Sequence, residues 1–129
     1  MNRTEQRERV FKLIFESISN KLTLNDLKTI MSDHNLNEHF IEKSMENFYK
    51  HYESISENIS KVISLSSLDK AGKVDKSLII LGVNEMTYMK TPSSIVINEV
   101  VELAKKYSKK DSYKFINSIL GQIYKINNE

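Results

Sequence analysis

The sequence predicts an all-α protein of about seven helices with no sheet. Three observations carry that expectation. Apolar residues recur at three- and four-residue spacing along most of the chain. With only three Gly and one Pro, the chain has too little turn punctuation for an all-β fold. From Val74 to Tyr124 three amphipathic or buried segments follow one another, VDKSLIILGVNEM, TPSSIVINEVVELAKKY and DSYKFINSILGQIY. At 129 residues, with 40% apolar and 28% charged residues, the chain is read as a single domain, 1–129, able to bury a core without staples.

The first helix is expected from about Arg3 to Lys21, where Val10, Phe11, Ile14, Phe15, Ile18 and Leu22 share one stripe at 100° per residue. Extending the stripe backwards puts Arg3 and Arg7 on the same line, at what reads as an exposed helix end. A second helix follows Asn25 as candidate N-cap, turning Leu24, Leu27, Ile30 and Met31 inward and ending near His34 and Asn35. Asn37 is the candidate cap of a third, whose inner side carries Phe40, Ile41, Met45, Phe48, Tyr49 and Tyr52. A fourth, from about Ser54 to Leu65, presents Ile55, Ile59, Val62 and Ile63, and the serines 64–67 with Ala71-Gly72 read as a turn. The fifth, Val74 to Met89, is apolar all round at Leu78-Ile79-Ile80-Leu81. Its length favours a helix in the middle of a bundle, with Gly82 where a neighbour approaches closely. Thr91 as N-cap and Pro92 as first helical residue start the sixth, whose inner face carries Val96, Ile97, Val100, Val101, Leu103, Ala104 and Tyr107. Asp111 caps the seventh, with Phe115, Ile116, Ile119, Leu120 and Ile123 inward.

Catalysis finds little support. No cysteine is present, no serine lies in a GxSxG elbow, and the three glycines stand alone, so no phosphate-cradling loop forms. His39 and Glu42 could share a helix face as two metal ligands, but no third ligand follows at a motif spacing. Glu85, a carboxylate in the most apolar helix, reads as a group hydrogen-bonded to a helix end or a neighbouring side chain. No cofactor and no metal are expected. No stretch approaches the roughly 18 apolar residues of a membrane span, and charges occupy the N-terminus where a secretory leader needs an apolar run. Both fit a cytoplasmic protein.

Charge distribution says more than the net +2. Residues 33–57 hold six acids against two lysines, a net of −4, whereas residues 102–114 hold five lysines (105, 106, 109, 110, 114) against Glu102 and Asp111, a net of +3. Arg3, Arg7 and Arg9 add cations at the other end of the chain. Arginine suits phosphate and base edges through its planar fork, and Tyr113 can stack on an unpaired base. If folding sets the chain's start beside the 105–114 turn, one basic face for single-stranded RNA results. The other reading is a helical protein-interaction module that uses the acidic 33–57 surface or the central helices.

The order of residues resembles the NusB family of transcription antitermination factors, from about Arg3 to Tyr124. RERVFKLIF matches that family's arginine-led first helix. VDKSLIILGVNEM matches its acidic-led apolar run, and TPSSIVINEVVELAKKYSKKDSYKFINSIL its proline-led helix and "S-KF-N-L" ending. The resemblance implies two helical subbundles, no enzymatic activity, and binding of a boxA-like single-stranded RNA together with the ribosomal protein that doubles as NusE. It puts the RNA side at Arg3, Arg7, Arg9, Asp111, Tyr113 and Lys114, with Lys110 in the same turn, and the NusE side at Val74 and Asp75. The chain departs from the family's pattern at Glu5 and Glu8, acids in a usually basic arm, and at Ser118 and Gly121. Both monomer and homodimer remain open.

Overall fold

A computed structural model describes residues 1–128 and shows, among them, eight α-helices and no strand: α1 (Arg3–Asn20), α2 (Leu24–Asp33), α3 (His39–Lys50), α4 (Tyr52–Ser60), α5 (Leu65–Ala71), α6 (Lys73–Tyr88), α7 (Ser93–Tyr107) and α8 (Ser112–Asn127). The expected helices are all present, and the eighth is the short α5. The serines read as a turn start it instead. The Ser64 hydroxyl accepts the Ser67 N–H at 3.2 Å, and Leu68 drops into the core. A seven-residue helix with one buried residue has too little period to register in sequence.

Several caps sit one or two residues from their expected places, the usual scale of boundary error. Asn2 and Glu5 form a capping box on α1, so Glu5 serves the helix end. Thr23, not Asn25, caps α2, because Thr23 and Asp26 satisfy each other's backbone N–H groups at 3.1 and 3.0 Å. Glu38, not Asn37, precedes α3. Pro92 occupies the cap position of α7 where Thr91 was expected. Asp111 does precede α8, but in the left-handed region (φ 70°) and without a side-chain cap bond. Tyr52, expected inside, is exposed at the start of α4, with its ring edge-to-face with that of Phe48 at 5.6 Å. Gly72, at φ 100°, is the whole joint between α5 and α6, a backbone conformation that only glycine adopts cheaply.

The frame is built around α6. Every residue from Ser77 to Glu85 is buried, because α1, α3, α4, α5, α7 and α8 all pack against this one helix. Each fully buried Leu or Ile of the run contributes about 1.5–3 kcal/mol relative to exposure, which explains why a helix apolar on all sides belongs here. α1 pairs with α3 and α7 with α8, and all four pack on α6. Gly82 lets α8 approach: a β-carbon there would lie 2.8 Å from both methyls of the fully buried Leu120. Gly82→Ala is expected to lower stability by about 1–3 kcal/mol through overpacking, read as a fall in the urea midpoint. Leu120→Val in the same chain should restore part of the loss.

Candidate nucleic-acid interface

The site begins with a buried charge. Arg7, 3% exposed, donates to both oxygens of Glu85 on α6 (2.8 and 2.6 Å) and to Glu99 on α7 (2.7 Å). Thr4 gives Glu99 a further hydrogen bond at 2.7 Å. Burial disfavours the Arg7 charge, but the hydrogen bonds and charges of Glu85, then of Glu99, outweigh it and raise the guanidinium pKa above its ordinary value. Glu85 therefore has the side-chain partner expected for it, and that partner is the arginine assigned to RNA. Arg7 is not exposed and has no free fork to offer a ligand. Arg3 is exposed, but its guanidinium lies 4.1 Å over the Phe40 ring of α3.

At the next residue, α1 meets the end of α7. Glu8 accepts from Lys106 Nζ at 2.7 Å and from the Tyr107 hydroxyl. The Lys106 hydrogen bond is the larger cause, and the Tyr107 one the next, of a Glu8 carboxyl held below its usual range. Lys12 and Lys106 lie 5.7 and 5.2 Å from the centroid of the Tyr107 ring. Around the turn, Tyr113 is flanked by Lys105 at 5.0 Å and Lys114 at 5.9 Å. Lys114 also reaches Asp111 at 3.6 Å, and Lys110 is exposed in the same turn. Arg9 is exposed on α1 beside Glu8 and Lys12, around a hollow that Glu5 also lines.

The fold thus brings cations from the two ends of the chain together: Lys12 of α1 and Lys106 of α7 share the Tyr107 ring, and Lys105 of α7 and Lys114 of α8 share the Tyr113 ring. Two contributors escaped sequence reading. Lys12 stood on a helix judged only for its arginines, and Tyr107, placed on the inner face, is half-buried with its hydroxyl at the surface. Of the two partner-side residues, Asp75 is 3% exposed and accepts from the Ser108 hydroxyl, so its carboxylate joins α6 to the end of α7 and does not face a partner. Val74 is half-buried and lines an apolar hollow of about 220 Å³ with Phe11, Phe15, Lys12 and Tyr107. His39 and Glu42 are both exposed on α3, and among the described residues no group of three His, Cys, Asp or Glu side chains could hold a metal. Among those residues no helix is long and apolar enough to cross a membrane.

An all-helical scaffold around a central helix buried from Ser77 to Glu85, with lysines set about two tyrosines at its surface, fits a helical nucleic-acid-binding protein. The NusB family model matches residues 4–125, and the chain belongs to that family. It is 36% identical to the transcription antitermination protein NusB of Finegoldia magna, over 97% of this chain and 95% of that protein. It is 32% identical to the Staphylococcus aureus NusB over 97% of this chain and the whole of that protein. Among solved structures, the fold is similar to a chain in the crystal structure of antitermination factors NusB and NusE in complex with double-stranded RNA. The TM-score is 0.83 at 26% identity, covering 98% of this chain and 99% of that one. It is also similar to the solution structure of NusB from Aquifex aeolicus, with a TM-score of 0.79 at 26% identity over 97% and 89% of the two chains. The family is one of non-catalytic transcription antitermination factors, and this chain is not an enzyme.

Removing the buried cation leaves the Glu85 carboxyl buried without its partner. Arg7→Ala is therefore expected to cost about 3–5 kcal/mol of stability in urea unfolding. A loss below 1 kcal/mol would show that the Arg7–Glu85–Glu99 link does not hold the helices together.

Proposed function

We propose that this protein is an RNA-binding antitermination factor that binds a boxA-like single-stranded RNA together with the NusE ribosomal protein, in support of ribosomal RNA transcription. It acts in the cytoplasm as one domain spanning 1–129. The observation that carries this reading is the pairing of lysines about two neighbouring rings, Lys12 of α1 and Lys106 of α7 at Tyr107, and Lys105 and Lys114 at Tyr113. Lysines flanking a partly exposed ring suit an unpaired nucleotide, since the base stacks on the ring while neighbouring phosphates meet the ammonium groups. Arg3 is exposed over Phe40 at the start of α1, Asp111 lies 3.6 Å from Lys114, and Arg7 acts from beneath by fixing α1. On the partner side, Val74 at the hollow between α1 and α6 is the surface offered to NusE, with Asp75 supporting it from inside.

Membership in a family of antitermination proteins, one of whose solved members is held with NusE and RNA, supports the same reading.

Titration of labelled boxA-like RNA, with and without NusE, at two salt concentrations tests the proposal. Affinity should fall with salt at a logarithmic slope of roughly −0.7 per phosphate contacted, and NusE should tighten binding. Tyr113→Ala should weaken it roughly 5- to 150-fold, the range for loss of one stacked base at about 1–3 kcal/mol. Salt-independent binding that Tyr113→Ala leaves unchanged would overturn the assignment of this face.

A further inference from the structure

The cations nearest the junction of α1 and α7 are already engaged by an anion of the chain itself. Oε1 of Glu8 accepts from Lys106 Nζ at 2.7 Å and from the Tyr107 hydroxyl, with Lys12 Nζ 5.7 Å from the centroid of the same ring. The fold has little need of a carboxylate at this point. The α1 terminus is capped by Asn2 and Glu5, and α1 is tied to α6 and α7 through Arg7, Thr4, Glu85 and Glu99. The Lys106 and Glu8 side chains are 60% and 20% exposed, and a surface ion pair of this kind contributes little stability. Its effect is electrostatic: a negative charge is fixed within an otherwise cationic face.

An anionic oxygen held between an ammonium and a phenol hydroxyl has the surroundings that a non-bridging phosphate oxygen takes in a charge-assisted hydrogen bond. We propose that Lys106, the Tyr107 hydroxyl and Lys12 form a phosphate subsite for the RNA backbone, and that Glu8 occupies it in the free protein as a tethered substitute which RNA must displace. The inference deepens the RNA-binding reading and rests on it.

The device acts on specificity. A carboxylate on the same domain competes at the high effective concentration of an intramolecular ligand. A strand that offers only phosphates gains little by displacing it. A strand that also stacks on Tyr113 has further binding energy to set against the displacement, so Glu8 suppresses weak polyanion binding more than cognate binding. Hydrogen bonds from Lys106 and then Tyr107 keep the Glu8 carboxyl below its usual range, so the substitute stays charged through neutral pH.

The test compares a boxA-like RNA with a homopolymeric single-stranded RNA of equal length by fluorescence anisotropy at several salt concentrations. The proteins are the unaltered chain, Glu8→Gln, Glu5→Gln, Lys106→Ala and the Glu8→Gln/Lys106→Ala double variant. Glu8→Gln should tighten the homopolymer at least threefold, tighten the boxA-like RNA less, and steepen the salt slope by roughly 0.7, the value for one more phosphate on a single strand. Glu5→Gln removes the same charge one turn away while keeping a side chain that suits the capping box, and should change either affinity less than twofold. In the Lys106→Ala background the gain from Glu8→Gln should vanish. If the unaltered protein binds RNA and Glu8→Gln binds no tighter, or its gain survives Lys106→Ala, the subsite is refuted while the RNA reading stands. If the unaltered protein binds neither RNA, both fall.

Discussion

The guanidinium of Arg7 is closed off from water by three helices and held by carboxylates from two of them, Glu85 and Glu99. One cation against two anions leaves the group formally negative, and Glu99, partly exposed and hydrogen-bonded by Thr4, keeps the hydration that balances the surplus. Such a link adds little net stability over a well-packed apolar replacement, because desolvation offsets most of the attraction. Its value is directional. The bidentate contact with Glu85 accepts the fork of Arg7 in one plane, and that fixes the rotation of α1 about its own axis.

From that rotation the rest of the functional face follows. Residue 8 projects 100° from residue 7 on a helix, which brings Glu8 to the end of α7, and Lys12 follows one turn on beside Tyr107. The apolar residues of α1 would tolerate some rolling against α3 and α6, since burial is non-directional. The positions of the cations tolerate much less. Packing thus sets which helices are neighbours, the buried ionic link sets how α1 is turned, and the turn of α1 decides which charges meet the lysines of α7 and the tyrosine of α8.

The long helices and the central place of α6 were legible because their signals are local: three- and four-residue spacing, an all-round apolar run, a glycine for close approach. Gly82 beneath Leu120 answers that reading directly. What eluded it was either too short to show a period, as with α5, or decided by competition between adjacent cap candidates, as with Thr23 and Asn25. Arg7 is the instructive case. It was seen to lie on the apolar stripe of α1, and Glu85 was seen to need a partner, yet the two are 78 residues apart and nothing local joins them. A basic residue on a buried stripe and an acidic residue in a buried helix are together a signal for an internal ion pair. Read jointly, they would have removed Arg7 from the RNA face. The meeting of the chain's two ends was legible only as a condition, because it depends on how α6 arranges its neighbours.

The central claim is that the ionic link, and not apolar packing alone, orients α1 toward the end of α7. The absence of native cysteine allows spin labels to be placed uniquely, at Arg9→Cys on α1 and Lys110→Cys in the α7–α8 turn, both exposed positions. Pulsed electron spin resonance should give one narrow distance distribution in this labelled chain. Replacing the pair by Arg7→Met/Glu85→Gln removes the link without leaving a buried charge on either residue, and should broaden or shift that distribution while the helices persist. An identical narrow distribution in the substituted protein would contradict the claim, and would assign the placement of the cationic face to the core.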